Sequence, residues 1–145
     1  MISLNITDTK SFMNHLFKEV TFDTFSFRVA EIHSFCEFEI KAPKTIEKLT
    51  WLDMKPYVFN IIKGKTTPKS IKLILTLDSE TAKEIDSGGE YFFNIYFTEG
   101  VLNVVTGTSA KVFTLDKTMD NLWEDYVSEF LTRHEITFTE DYDEA

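Results

Sequence analysis

The stretch Tyr91-Phe92-Phe93-Asn94-Ile95-Tyr96-Phe97-Thr98-Glu99-Gly100-Val101-Leu102-Asn103-Val104-Val105-Thr106 decides the fold. Tyr91, Phe93, Ile95 and Phe97 share one parity, and Phe92 and Tyr96 share the other. Successive side chains of an extended chain point to opposite faces, so this strand is apolar on both. It reads as a central strand covered on both sides. Glu99-Gly100 supplies a tight turn, and residues 101–106 return as the next strand. Gly107-Thr108 reads as a second turn, leading into a third strand over residues 109–115. Strands joined by such short turns form an antiparallel meander.

The pattern upstream is consistent with that sheet. Ile71, Leu73, Leu75 and Leu77 alternate with Lys72, Ile74 and Thr76, a strand, and residues 79–85 read as a short helix closed by Gly88-Gly89. Phe25, Phe27 and Val29 alternate before Ala30 and Ile32 take the other parity, which predicts a bulge near 29–30 in a strand over 24–33. Cys36, Phe38 and Ile40 alternate with Glu37, Glu39 and Lys41, the partner strand of a hairpin with one oily and one charged face. Residues 2–6 alternate as a short strand. Thr7-Asp8-Thr9 then offers capping chemistry for a helix carrying Phe12, Met13, Leu16, Phe17 and Val20 on one stripe. Pro56 is best tolerated in a first helical turn, so a second helix is expected to begin at Asp53 as N-cap and to stop at Gly64.

Downstream, Thr118 can cap a helix. Met119, Leu122, Trp123, Tyr126, Val127, Phe130 and Leu131 form its apolar stripe. Ile136-Thr137-Phe138 reads as a short edge strand, and residues 139–145 as an acidic, frayed tail. The order βαββαβαβββα predicts an α+β domain over residues 1–138: a curved, mainly antiparallel sheet packed by two to four helices.

Composition bounds the function. The chain has 145 residues, 43% hydrophobic and 14% aromatic, with five Gly and three Pro, which excludes a disordered or low-complexity chain. The single cysteine, Cys36, excludes an internal disulfide, and its parity places it as a buried hydrophobe. The start has no basic region before Lys10, and no apolar run approaches the ~20 residues a membrane helix needs, so the reading is a cytoplasmic protein without a membrane partner. The net charge is −9 but polarised: residues 41–72 hold eight Lys against Glu47 and Asp53, whereas residues 116–145 hold two basic and ten acidic groups. Such asymmetry steers partners.

No motif supports catalysis. Lys63-Gly64-Lys65-Thr66 contains the Gly-Lys-Thr of a phosphate loop, but the position for that loop's first glycine is Phe59, and the segment follows a helix instead of opening one. His15, His33 and His134 have no partners at metal-ligand spacing, and Cys36 with His33 lacks the setting of a low-pKa thiolate. The reading is therefore no catalytic residue, no metal and no cofactor. It predicts a non-catalytic binding module that offers Lys55, Lys63, Lys65, Lys69 and Lys72, with Tyr57 as a stacking group, to an anionic partner, either nucleic acid or an acidic protein surface. Two alternatives stand beside it. One is an enzyme whose pocket the motifs do not reveal, combining Thr108 and Ser109 hydroxyls with a histidine. The other is a structural domain that forms homo-oligomers through an aromatic sheet face.

Trp51, Lys55-Pro56, Phe59, Ile62-Lys63-Gly64-Lys65 and Thr67-Pro68, with Gly107-Thr108-Ser109, Lys111, Phe113-Thr114, Asp116-Lys117 and Trp123 downstream, resemble an uncharacterised bacterial family of unknown function. The resemblance covers nearly the whole chain, including Leu4-Asn5-Ile6-Thr7-Asp8 and Phe12-Met13, and implies no activity, substrate or catalytic residue. The element order is also similar to one domain of sliding DNA clamps, whose lysine-bearing helices face DNA; Lys10, Lys18, Lys55 and Lys63 occupy the two comparable helices. No clamp sequence motif is present, and the helix at 79–87 and the long last helix depart from that pattern.

Overall fold

A computed structural model describes residues 1–43, 49–64, 67–85, 89–110 and 117–141. In chain order the elements are β1 (Ser3–Ile6), α1 (Thr9–Phe17), β2 (Ser26–His33), β3 (Glu37–Lys41), α2 (Trp51–Ile62), β4 (Ser70–Thr76), α3 (Ser79–Ile85), β5 (Gly89–Thr98), β6 (Val101–Ala110), α4 (Thr118–Arg133) and β7 (Phe138–Asp141). The strands form one open sheet in the order β3-β2-β4-β5-β6-β1-β7, and every neighbouring pair is antiparallel. The fold is the α+β class that the alternation predicts.

The parity of the strands sorts the residues. Leu4, Ile6, Phe27, Ala30, Ile32, Leu73, Leu75, Tyr91, Phe93, Ile95, Leu102 and Val104 are buried in one continuous core with residues of all four helices. The opposite parity forms the second face. Glu31, Lys72, Tyr96, Asn103 and Asn5 lie abreast across it in register, and all are half-buried. Here the structure corrects an expectation. Strand β5 is central, but no described helix packs on its Phe92 and Tyr96 face, because the neighbouring strands bring mainly polar and charged side chains to that side.

Other corrections are local. Strand β6 runs unbroken through Gly107 and Thr108, which sequence reads as a turn. Gly107 pairs with Phe92 in the extended ladder, and a Cβ there would make only ordinary contacts, 3.4 Å from Asn94 Nδ2 and 3.6 Å from the Phe92 Cβ, so the glycine is required neither by a turn nor by crowding. The predicted third meander strand ends outside the described residues, and the seventh strand instead follows α4 and pairs with β1. That strand extends through Asp141, so the first residues assigned to a frayed tail are hydrogen-bonded. Cys36 sits exposed in the β2–β3 turn, beyond the point where parity determines burial. The β2 bulge lies between Phe27 and Val29. Gly89 opens β5 instead of closing α3, and the N-cap of α4 is Lys117.

Helix α2 begins earlier than expected. Thr50 is its N-cap, and Asp53 is the third helical residue, accepting from the Thr50 N–H while Thr50 Oγ1 accepts from the Asp53 N–H. This capping box satisfies two end amides, and it leaves Pro56 in the second turn, where one helical hydrogen bond is lost on the exposed side.

Between α1 and β2 the chain makes two tight turns, Asp23 N–H to the Val20 carbonyl and Phe25 N–H to the Phe22 carbonyl. They bury Phe22 completely. Its ring centroid lies 5.4–5.5 Å from those of Phe12, Phe25, Phe93 and Phe130, which belong to α1, its own loop, β5 and α4. Two indoles fasten the helices further: Trp51 Nε1 donates to the Leu16 carbonyl at 2.6 Å, and Trp123 Nε1 to the Phe92 carbonyl at 2.9 Å.

Three substitutions test this architecture by urea denaturation. Phe22→Ala should lose about 3–5 kcal/mol, because it empties a site enclosed by four other rings. Gly107→Ala should be neutral or stabilise by up to about 0.5–1 kcal/mol, since β6 is extended there. Gly100→Ala should cost about 1 kcal/mol, since Gly100 has φ of 81° in the β5–β6 turn.

Candidate functional site

Helix α2 packs on the helical side of the sheet, against β2 and α1. Lys55 points into that layer. Its Nζ lies 2.6 Å from Asp23 Oδ1 and donates to the Glu19 carbonyl at 3.0 Å, and the Lys55 and Asp23 side chains are only 16% and 11% exposed. Its charge is therefore neutralised inside the fold. Tyr57 is exposed on α2, and Lys63, at the C-cap, holds its ammonium 5.7 Å from the Phe59 ring centroid. Lys65 lies outside the described residues. Lys69 is exposed at the entry to β4, its N–H donating to the His33 carbonyl. Lys72 sits on the open face of the sheet, directly between Glu31 of β2 and Tyr96 of β5.

These residues do not form one surface. Tyr57 and Lys63 belong to the helical side, whereas the even parity of Lys72 in β4 sends it through to the other side, opposite buried Ile71 and Leu73.

Lys72 instead belongs to a hollow of ≈ 390 Å³ over β3, β2, β4 and β5. Glu31, Glu37, Glu39, His33, Lys72 and Tyr96 supply its charged and aromatic lining, with the hydroxyls of Ser70 and Thr98. His33 and Glu37 are cross-strand partners, as are Glu31 and Glu39. Lys41 pairs with Glu39 at 2.7 Å, and that hydrogen bond and charge, with a smaller pull from Glu31, hold its ammonium above the usual lysine value. Lys72 makes no ion pair within 4.0 Å among the described residues. The hollow thus presents three carboxylates, one unpaired ammonium, an imidazole and a phenol on rigid strands. It can hold charged groups by salt-dependent contacts. No described cluster of His, Cys, Asp or Glu has the convergence to hold a metal ion.

A smaller hollow of ≈ 220 Å³ lies at the other end of β2, where the bulge turns Arg28 toward Thr76 Oγ1 and Glu90. The 2.7 Å Arg28–Glu90 pair bridges it and satisfies both charges internally. The Thr108 hydroxyl donates to the Asp120 carboxylate and ties β6 to α4. The histidines lie elsewhere: His33 borders the open-face hollow, and His15 and His134, which sequence leaves apart, approach to 6.2 Å between ring centroids. Only tertiary packing reveals that pair, since it joins the last turn of α1 to the C-cap of α4.

Residues 15–139 match DUF5721, a family of unknown function, and the chain belongs to that family. No curated protein and no solved structure matches it, so no comparison supports the resemblance to a clamp domain. No described helix is long and apolar enough to cross a membrane.

The placement of the lysines generates a stability test. Lys55→Met should lose about 2–4 kcal/mol in urea denaturation, because it strands the Asp23 carboxylate in a nearly buried site. Lys72→Met should stay within about 0.5 kcal/mol of the parent, because Lys72 holds no ion pair among the described residues.

Proposed function

We propose that this member of a family of unknown function is a non-catalytic binding module. It docks a protein segment bearing cationic side chains in the hollow on the open face of its sheet. The observation behind this reading is the juxtaposition of Glu31, Glu37 and Glu39 around one hollow on adjacent strands, in a chain of net charge −9. Complementary charge steers encounter and fixes orientation more than it adds raw affinity. Lys72, unpaired at the centre, accepts an acidic group of the same partner and rejects a misplaced cation. The edge strand β3 carries Glu37, Glu39 and Lys41, charges of the kind that discourage strand-to-strand pairing between copies. That favours a partner on the face over self-association along the edge.

A second reading keeps the anionic partner. It is favoured by Lys63 and Lys69, both exposed and without an ion pair among the described residues, with Tyr57 exposed on the same helix as Lys63.

One experiment separates the two. Fluorescence anisotropy is measured at low and high salt with two probes, a labelled peptide of alternating Arg and Ser and a labelled single-stranded oligothymidine. The first reading expects the peptide to bind, to weaken with salt, to lose about tenfold or more in a Glu31→Gln/Glu37→Gln/Glu39→Gln variant, and to shift amides of β2–β5. Oligothymidine binding that falls in Lys63→Ala/Lys69→Ala replaces it with the second reading. Binding of neither probe overturns both.

A further inference from the structure

The apolar stripe of α1 ends beside His15, and the last helix ends on His134 as its C-cap. Their rings meet edge to face at 6.2 Å. His15 Nδ1 lies 2.7 Å from Thr21 Oγ1 and 3.3 Å from Glu19 Oε2, and its side chain is 15% exposed. His134 packs 4.6 Å from the Phe130 ring, which in turn contacts Phe22 and Phe25. The charged groups that act on the pair are Glu19, from the end of α1, and Arg133, from α4. With both imidazoles protonated, three positive groups share one carboxylate in a partly desolvated site. Two charges at this separation repel appreciably.

We propose that the His15–His134 contact is an acid-sensitive latch. The neutral His134 ring holds the end of α4 against α1, and its protonation beside Arg133 and His15 loosens it. Immediately beyond His134, Glu135 turns the chain through a left-handed φ of 59° into the approach to β7. Among the described residues, strand β7 is an edge strand paired only with β1. Loosening at His134 therefore registers first in β7 and at the end of α4, while β4 and β5 in the middle of the sheet stay protected. The electrostatics agree in sign. Burial first, then Arg133 and His15, push His134 below the ordinary 6.5, against the opposing pull of Glu19. A histidine depressed in the folded state takes its proton more readily when unfolded. Its contribution to stability is thus present above pH 6.5 and is lost as pH falls through 6.5 toward the folded value.

Amide hydrogen exchange followed by NMR between about pH 7.5 and about pH 5.5 tests this. After correction for intrinsic rates, protection at Thr139 and Glu140 should fall about tenfold or more, while that of Leu73 and Ile95 holds. In His134→Gln, checked for native fold by circular dichroism at the upper pH, that differential loss should vanish. In His15→Gln the His134 ring should titrate closer to its ordinary value, a readout that a purely steric role of His15 does not move. A uniform loss across the sheet, an undiminished loss in His134→Gln, or an unmoved His134 titration in His15→Gln overturns the latch.

Discussion

The fold depends on a loop residue. Phe22 occupies no helix and no strand, yet its ring meets those of Phe12, Phe25, Phe93 and Phe130. The same few residues anchor α2 by polar contacts: Leu52 N–H donates to the Asp23 carbonyl, Trp51 N–H to the Phe25 carbonyl, and Lys55 pairs with Asp23. Thr21 bonds His15 of α1. One connection therefore positions α1, α2 and α4 relative to each other and to β5. Because all three converge on it, they gather on one side of the sheet, and the opposite side is left to solvent or to a partner. One-sided cover is a normal solution for an antiparallel sheet, and here a single loop decides which side.

The periodic parts of this arrangement are legible in the sequence and the aperiodic ones are not. Ile71, Leu73 and Leu75 of β4, and Trp123, Val127, Phe130 and Leu131 of α4, are buried where alternation and the helical stripe place them. Phe22 carries no such signal, since a buried loop aromatic fits neither period. Parity also has a limit that β5 makes plain. It separates Phe92 and Tyr96 from Phe93 and Ile95, but it does not say whether anything covers them. That depends on the neighbouring strands, whose Asn103 and Lys72 become adjacent to Tyr96 only through register. Gly107 shows the same ambiguity: glycine is compatible with a turn or with an extended strand, and only its pairing with Phe92 distinguishes them.

The candidate site divides along the same line. The charged parity of β3, with Glu37 and Glu39, is readable from alternation and does border the hollow, whereas Glu31 joins it because β2 runs on to His33. The lysine run is readable as a composition shift but not as a surface. Contiguity in sequence turned into opposite sides of a sheet once α2 packed beneath β2 and β4 placed Lys72 on the open face. Lys55 illustrates the stronger failure. Its partner Asp23 lies 32 residues earlier, in the loop that sequence leaves unassigned, so a group that looked available to a ligand is consumed by the core. Local charge counting identifies cations; it does not identify which of them have already found a carboxylate.

The two functional inferences occupy different parts of one sheet. The hollow lies over β3, β2, β4 and β5, and the histidine pair joins the last turn of α1 to the C-cap of α4. They are joined by packing through β5. Phe93 on its inner face touches Phe22 and Phe25, which touch Phe130, on which His134 rests, while Tyr96 on its outer face lines the hollow. Strand β5 is paired with β6 along its whole length and with β4 from Phe92 to Thr98, so it resists displacement when an edge unit loosens. Acid release of α4–β7 and occupancy of the hollow are thus separable events. The hollow borders the β3 edge and β7 is the opposite edge, so loosening at β7 leaves the strands under the hollow paired.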